Sequence, residues 1–168
     1  MHLLEAGEYS LDANVVVDFE KTDNLPLLAQ ILPGRMMISD FVAAELAEAD
    51  IYYPDPAVVT LDSEEAWALF EEIRSNSTSL GLGEVAALAI GKLHGIGIIT
   101  NDSRARVVGG ELGIAVVGSL GLLEDAVDLG FLSPEAASIT LDNMIKAGAW
   151  LSNALITSFA AVMKNKPR

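Results

Sequence analysis

The feature that most constrains the fold is an alternation of short apolar runs with helix-length amphipathic segments. Strands are predicted at about residues 7–13, in RMMIS at 35–39, AVVTL at 57–61, IGIIT at 96–100 and IAVVG at 114–118. Parallel strands require crossover connections, and helices supply these and cover both faces of the sheet. We therefore predict an α/β protein with three α/β/α layers around a central, mainly parallel twisted sheet.

Composition narrows the class of protein. The chain has 168 residues, of which 51% are apolar and 20% charged, so one packed domain is expected rather than a disordered segment. A net charge of -14 argues against a broad basic surface for nucleic acid. With no cysteine and two histidines, the sequence excludes disulfides, zinc–thiolate sites and cysteine nucleophiles, and disfavours a histidine-rich metal site.

The C-terminal part is predicted to be an addition to the main unit. We place the principal domain at 1–132 and a helical extension, packed on the same domain, at 133–168. The stretch AGAWLSNALITSFAAVM is short for a membrane span and interrupted by polar residues, so a buried helix from about 149 to 163 is expected. Its larger apolar residues are expected to close the core, with a dimer face or the cover of an antitoxin-type groove as alternatives: Trp150, Leu151, Leu155, Phe159 and Val162. Without a signal-peptide pattern, a cytoplasmic protein that does not contact membranes is expected.

Four carboxylates stand at comparable places in the predicted fold. Asp12 ends the first strand, and Asp102 follows IIT directly. Glu45 shares a helix stripe with apolar residues and is expected to face inward, and Glu84 lies in the first turn of an alanine-rich helix. Taken singly, Asp12 and Asp102 can be helix caps and Glu84 can interact with a helix dipole. Together, at the carboxyl ends of parallel strands, they would repel one another unless a cation were present.

A hard divalent cation removes that conflict. Mg²⁺ and Mn²⁺ prefer oxygen ligands, activate water and stabilise charge on a phosphoryl group. The four acids therefore predict metal-dependent hydrolysis of a phosphodiester. If this is right, their carboxylate carbons should lie within about 10 Å of a common point.

Four ordered segments resemble the PIN-domain ribonuclease family, which includes VapC-type toxins. They are LDANVVVDF with Asp12, ISDFVAAEL with Glu45, LGLGEVAALAIG with Glu84, and IITNDSRAR with Asp102. The resemblance implies a PIN fold in which these four acids are catalytic and bind one or two Mg²⁺ or Mn²⁺ ions. It also implies cleavage of single-stranded RNA to a 5′-phosphate and a 3′-hydroxyl.

Further roles follow from the resemblance. A surrounding set would hold the carboxylates or waters in place: Asn14, Ser39, Thr100 and Asn101. Arg104 and Arg106 would contact RNA phosphates, with Lys21 and Arg35 as weaker candidates for the same groove. The expected partners are an RNA substrate, an antitoxin-type protein and a second copy of the chain in a homodimer.

Two other functions fit the same residues. An aspartate at the end of the first strand is also found in phosphatases of the haloacid dehalogenase type, although that reaction calls for a second aspartate where this chain has Asn14. Alternatively, the domain is catalytically idle and binds RNA or a protein. Metal-dependent cleavage that single carboxamide substitutions abolish would distinguish the enzyme from the binding module.

Overall fold

A computed structural model describes residues 7–167 and contains one five-stranded sheet within that range. The strands are β1 (Tyr9–Leu11), β2 (Met36–Ser39), β3 (Ala57–Val59), β4 (Gly97–Ile99) and β5 (Val116–Val117). Their order is β3-β2-β1-β4-β5, and every neighbouring pair is parallel. The predicted α/β class and parallel sheet are confirmed.

Helices connect the strands and cover the sheet. Those before the C-terminal segment are α1 (Ala13–Glu20), α2 (Leu25–Ile31), α3 (Asp40–Glu48), α4 (Glu64–Asn76), α5 (Leu82–His94), α6 (Ser103–Glu111) and α7 (Ser119–Asp128). The C-terminal segment adds α8 (Pro134–Lys146) and α9 (Asn153–Asn165). Among residues 7–167, no helix is long and apolar enough to cross a membrane.

The sheet separates two apolar cores, as a three-layer arrangement requires. Consecutive residues of β4 point to opposite faces: Ile98 packs in one core, and Ile99 packs in the other. Helices α4, α5 and α6 contribute to the Ile98 side, whereas α1, α2 and α7 contribute to the Ile99 side. Since both faces are covered, the strands read as continuous apolar runs rather than alternating ones.

The C-terminal segment packs into the Ile99 core. Met144 of α8 and Phe159 of α9 are fully buried there beside residues of α1 and α7. The prediction for Trp150 was wrong, because its side chain is 90% exposed, and Leu155 is also exposed. Gly148 has φ +100°, and the connection from α8 to α9 is not helical, so Trp150 is held off the core.

Some predicted boundaries were also wrong. The first strand covers only Tyr9–Leu11, since α1 begins directly after Asp12. The cap of α4 is Ser63, whose hydroxyl accepts a hydrogen bond from the Ala66 N–H at 3.1 Å. The last helix begins at Asn153 because Ser152 caps it. Each shift is local and leaves the order of elements unchanged.

The strand order reverses beside β1, and this places the site. The chain passes from β1 to β2 on one side of β1, and the later strand β4 pairs with the other side of β1. In parallel α/β sheets, ligands bind at such a switch point, beyond the carboxyl ends of the strands. Asp12 follows β1 immediately, and Asp102 follows β4 three residues after Ile99.

Candidate active site

Asp12 is the buried centre of the site. It is 2% exposed, and its Oδ2 accepts a hydrogen bond from the Thr100 hydroxyl at 3.1 Å. The same hydroxyl oxygen accepts from the Asp102 N–H at 3.1 Å. Asp12 occupies the N-cap position of α1 without making a side-chain cap bond. Its burial is therefore not explained by helix capping, and Thr100 ties the ends of β1 and β4 together.

Glu84 and Asp102 each cap a helix. Glu84 Oε2 accepts from the Gly81 N–H at 2.8 Å, which closes the first turn of α5. Asp102 Oδ1 accepts from the Ala105 N–H at 2.7 Å at the start of α6. The capping interpretation holds for Asp102, and Glu84, for which a helix-dipole interaction was the alternative, also makes a capping contact. Each carboxylate uses one oxygen in its cap, and the second makes no hydrogen bond to another described residue.

Glu45 projects from α3 toward the beginning of α5. The expectation that it faces inward was wrong, because its side chain is exposed. Its carboxylate accepts a hydrogen bond from the Gly83 N–H. Gly83 leaves room for this contact, since a Cβ at that position would overlap Glu45 Oε1 and lie 3.1 Å from its Cδ. A glycine in α5 therefore positions the Glu45 carboxylate beside the helix that carries Glu84.

The acids interact electrostatically. Burial and then the charge of Glu84 raise the pKa of Asp12 to about 7, and the Thr100 hydrogen bond opposes them. Smaller effects come from the charge of Glu45, which raises the pKa, and from the Ala13 N–H, which lowers it. Burial also raises the pKa of Glu84, with further contributions from the charges of Asp102 and Glu45. Glu45 has a raised pKa mainly from desolvation. For Asp12, Glu45 and Glu84, desolvation opposes ionisation more than the charges of neighbouring acids do.

The cluster fits a hard cation in donor type, and its side chains would have to rotate to hold one. Carboxylate oxygens are the ligands that Mg²⁺ and Mn²⁺ prefer. Within residues 7–167, however, no three acidic or histidine side chains stand close enough together to hold a metal ion in their present conformations. Asp12 is fixed by Thr100, so the movement would be made by the half-exposed or exposed acids around it.

The other predicted supporting residues lie in different places. Ser39 is buried and caps α3 by accepting from the Val42 N–H at 3.0 Å. Asn14 is exposed on α1. Asn101 contacts none of the four acids through a side-chain hydrogen bond among the described residues. Thr100 is the member of this set that binds the cluster directly.

Asn101 instead belongs to a neighbouring polar network that the sequence analysis missed. Its Nδ2 donates to Asp18 Oδ2 at 3.1 Å and to the Ser119 hydroxyl at 2.8 Å, and its Oδ1 accepts from the Ser119 N–H. Burial raises the pKa of Asp18, against the effect of the Asn101 hydrogen bond. The sequence pattern that could have indicated this network is the helical spacing of Asn14, Asp18 and Lys21, which places all three on one face of α1.

The predicted phosphate-binding residues separate into two groups. Arg104 is exposed, and its guanidinium donates to the Ser77 hydroxyl at 3.2 Å. Arg106 is half-buried and, with Lys21, lines a large cleft beside Asp102. Arg35 donates to the Ile31 carbonyl and does not line that cleft.

The cleft has a volume of about 680 Å³ and lies between α1, the end of β5 and the C-terminal segment. Asn14, Asp18 and Asn101 form its polar side, and Asp102 places the acidic cluster at its border. Trp150, Leu151 and Leu155 of the C-terminal segment also line it. Asp102 and the C-terminal segment therefore share one concave surface.

Comparison with known proteins agrees with this architecture. No curated protein matches the chain as a significant relative. A family model described as a PIN domain matches residues 9–165, which includes all four acids, both sides of the cleft and the two C-terminal helices. PIN domains are generally nucleases. The chain belongs to the PIN-domain family.

Proposed function

We propose that this protein is a metal-dependent endoribonuclease that hydrolyses phosphodiester bonds in single-stranded RNA. The observation that carries the proposal is the position of Asp12. It is a buried carboxylate with a raised pKa, it lies at the switch point of the sheet, and it interacts electrostatically with Glu45 and Glu84. A buried, crowded carboxylate of this kind is typical of a functional site, since it lowers stability when ionised.

The proposed role of each residue follows from the contacts that hold its side chain. Asp12 provides a fixed ligand because Thr100 and the end of β1 hold it. Glu84 and Asp102 each have a second carboxylate oxygen to offer, and Glu45 reaches the same region along α5. Bound there, Mg²⁺ or Mn²⁺ would supply an activated water and stabilise the charge that develops on the phosphate. The acids would position the ions, and Arg106 would bind a neighbouring phosphate.

The proposed partners are an RNA substrate and, for regulation, an antitoxin-type protein, with a homodimer as the assembled form. A toxin role is the specific form of the proposal that membership of the family suggests. A cytoplasmic location belongs with an RNA substrate of this kind.

A second candidate is a catalytically idle module that binds RNA or a protein. It is favoured by one observation, that Glu84 and Asp102 already serve as helix caps and no metal-binding group is formed in the described chain. The phosphatase alternative is not retained, because the chain belongs to the PIN-domain family.

The test is cleavage of an end-labelled RNA panel with single-stranded loops, in Mg²⁺, in Mn²⁺ and in chelator. Glu84→Gln is the informative variant because the glutamine amide oxygen can still accept from the Gly81 N–H and keep the cap of α5. Glu65→Gln, on the exposed face of α4, is the matched control. Both proteins are purified by the same procedure.

Cleavage that requires metal, survives in Glu65→Gln and is lost in Glu84→Gln is the expected result. Equal cleavage by wild type and Glu84→Gln would identify a contaminating nuclease and refute the assignment. Absence of cleavage with either metal, in protein free of any bound partner, would favour the idle binding module.

A further inference from the structure

The cleft contains an aromatic side chain that the fold does not use. Trp150 is 90% exposed, whereas Phe159, nine residues later, is fully buried. It stands on the connection between α8 and α9, outside regular structure. An indole left in water on a concave surface loses the free energy of burial, and such groups are characteristic of binding sites.

Cations lie in the same cleft. Only 10 lysine and arginine residues occur in the whole sequence, against 24 acids, and Lys21 and Arg106 are among the lining residues. Arg106 makes no ion pair with another described residue. Its guanidinium fits over Gly118, where a Cβ would lie 2.7 Å from Nη1. A half-buried arginine without a carboxylate partner, held against a glycine, is suited to bind an anion from outside the chain.

The acids of the cleft all have contacts within the chain. Asp18 accepts from Asn101 and interacts with the positive charge of Lys21, and Asp102 caps α6. The positive charge of Lys166 acts on Glu124, although burial is the larger effect and leaves its pKa raised. The surface therefore combines a free aromatic face, an unpaired arginine and a lysine within one cavity that borders the candidate active site.

We propose that this cleft is the binding site for an unpaired nucleotide next to the scissile phosphate, with its base stacked on Trp150 and its phosphate bound by Arg106 and Lys21. The inference rests on the proposed function, because the nuclease activity proposed for the neighbouring acids makes a polynucleotide the expected ligand. A volume of about 680 Å³ lies within the usual range of about 300–1,000 Å³ for ligand sites. Stacking requires a base that is free of its own helix, so the C-terminal segment selects single-stranded substrate.

The test measures binding without cleavage. A short single-stranded RNA with 2′-O-methyl groups is titrated in chelator into Trp67→Phe protein, in which Trp150 is the remaining tryptophan. Base stacking quenches indole fluorescence, so the expected result is a saturable decrease in emission. Trp150→Ala in the wild-type background should weaken binding of labelled RNA about 5- to 150-fold, the range found when a stacking aromatic is removed.

Two matched variants separate the contributions. Tyr52→Ala removes an aromatic side chain that is 85% exposed and precedes β3, at the opposite end of the sheet from the acidic cluster, so binding should be unchanged. Arg106→Gln should make the slope of log affinity against log salt less negative by about 0.7, because one phosphate contact to a single strand is lost. Loss of affinity without a change in this slope would refute the phosphate contact.

The outcomes distinguish this inference from the proposed nuclease activity. If the protein cleaves RNA while Trp150→Ala binds and cleaves like wild type, the cleft proposal is wrong and the nuclease assignment stands. If Trp150 is quenched but no metal permits cleavage, the nucleotide site stands and the nuclease assignment falls. No response of Trp150 to RNA at about 1 mM, above ordinary non-specific dissociation constants, would overturn the site and favour a protein ligand.

Discussion

Replacing Asp12 with asparagine should make this protein more stable at high pH while removing the centre of its site. The variant keeps the shape of the side chain, and its amide oxygen can still accept from the Thr100 hydroxyl. It removes the ionisable group that burial and the nearby charge of Glu84 disfavour. Stability and function are therefore expected to change in opposite directions at this position.

The size and sign of this change in the free energy of unfolding follow from the linkage between protonation and folding. The pKa of Asp12 rises from an ordinary value of 3.8 to about 7 on folding. The folded state thus keeps a proton that the unfolded chain has released, so this contribution is complete below pH 3.8 and is lost as the pH rises through 7. The total is on the order of 4 kcal/mol, and more than half of it is lost between pH 5 and pH 8.

The assay is urea unfolding of wild type and Asp12→Asn in chelator at several pH values between 5 and 8. The free energy of unfolding of the variant, minus that of wild type, should increase by about 2–3 kcal/mol over this range. Glu65→Gln, on the exposed face of α4, serves as the control for replacing a carboxylate with a carboxamide.

A difference between Asp12→Asn and wild type that is constant from pH 5 to pH 8 would refute the reasoning, because it would mean that Asp12 ionises normally in the folded protein. Added Mg²⁺ provides an independent arm. It should stabilise wild type at pH 8 and have much less effect on Asp12→Asn, since a ligand that binds only the folded state stabilises it by mass action.

Substitutions at three other positions test individual side chains. Gly83→Ala should reduce cleavage at least tenfold by displacing the Glu45 carboxylate while stability changes by less than about 1 kcal/mol, since alanine favours the helix; unchanged cleavage would show that Glu45 is not needed in its present position. Thr100→Val should lower the free energy of unfolding by about 1–3 kcal/mol and Thr100→Ser by much less, as measured in urea, and equal losses would exclude the hydroxyl as the cause. Ser63→Ala should cost about 1 kcal/mol by removing the cap of α4, and calorimetry that finds no loss would contradict the cap.

The three-layer arrangement and the positions of the acids along the chain can be predicted from local sequence patterns. Both depend on local patterns. Strands that are buried on both faces appear as short apolar runs, and the helices between them are recognised by the spacing of their apolar residues. An acid placed directly after such a run must lie at the carboxyl edge of a parallel sheet. Asp12 and Asp102 could therefore be located before any coordinates were known.

Only the tertiary structure decided how these side chains are used. Asp12 and Thr100 are 88 residues apart, and pairing of β1 with β4 brings them into hydrogen-bond distance. Glu45 faces solvent and still reaches α5, because Gly83 on another helix leaves room for it. Helical periodicity reports which face of an element is buried, and it carries no information about which distant residue meets that face.

The same reason explains the cleft. The apolar spacing of the last helix predicted burial of Trp150 together with Phe159, and only Phe159 is buried. A turn at Gly148 and the cap at Ser152 interrupt the helix and leave the indole on the open side of the cleft. Packing of segments distant in sequence thus turned a residue predicted to close the core into one wall of a cavity beside Asp102.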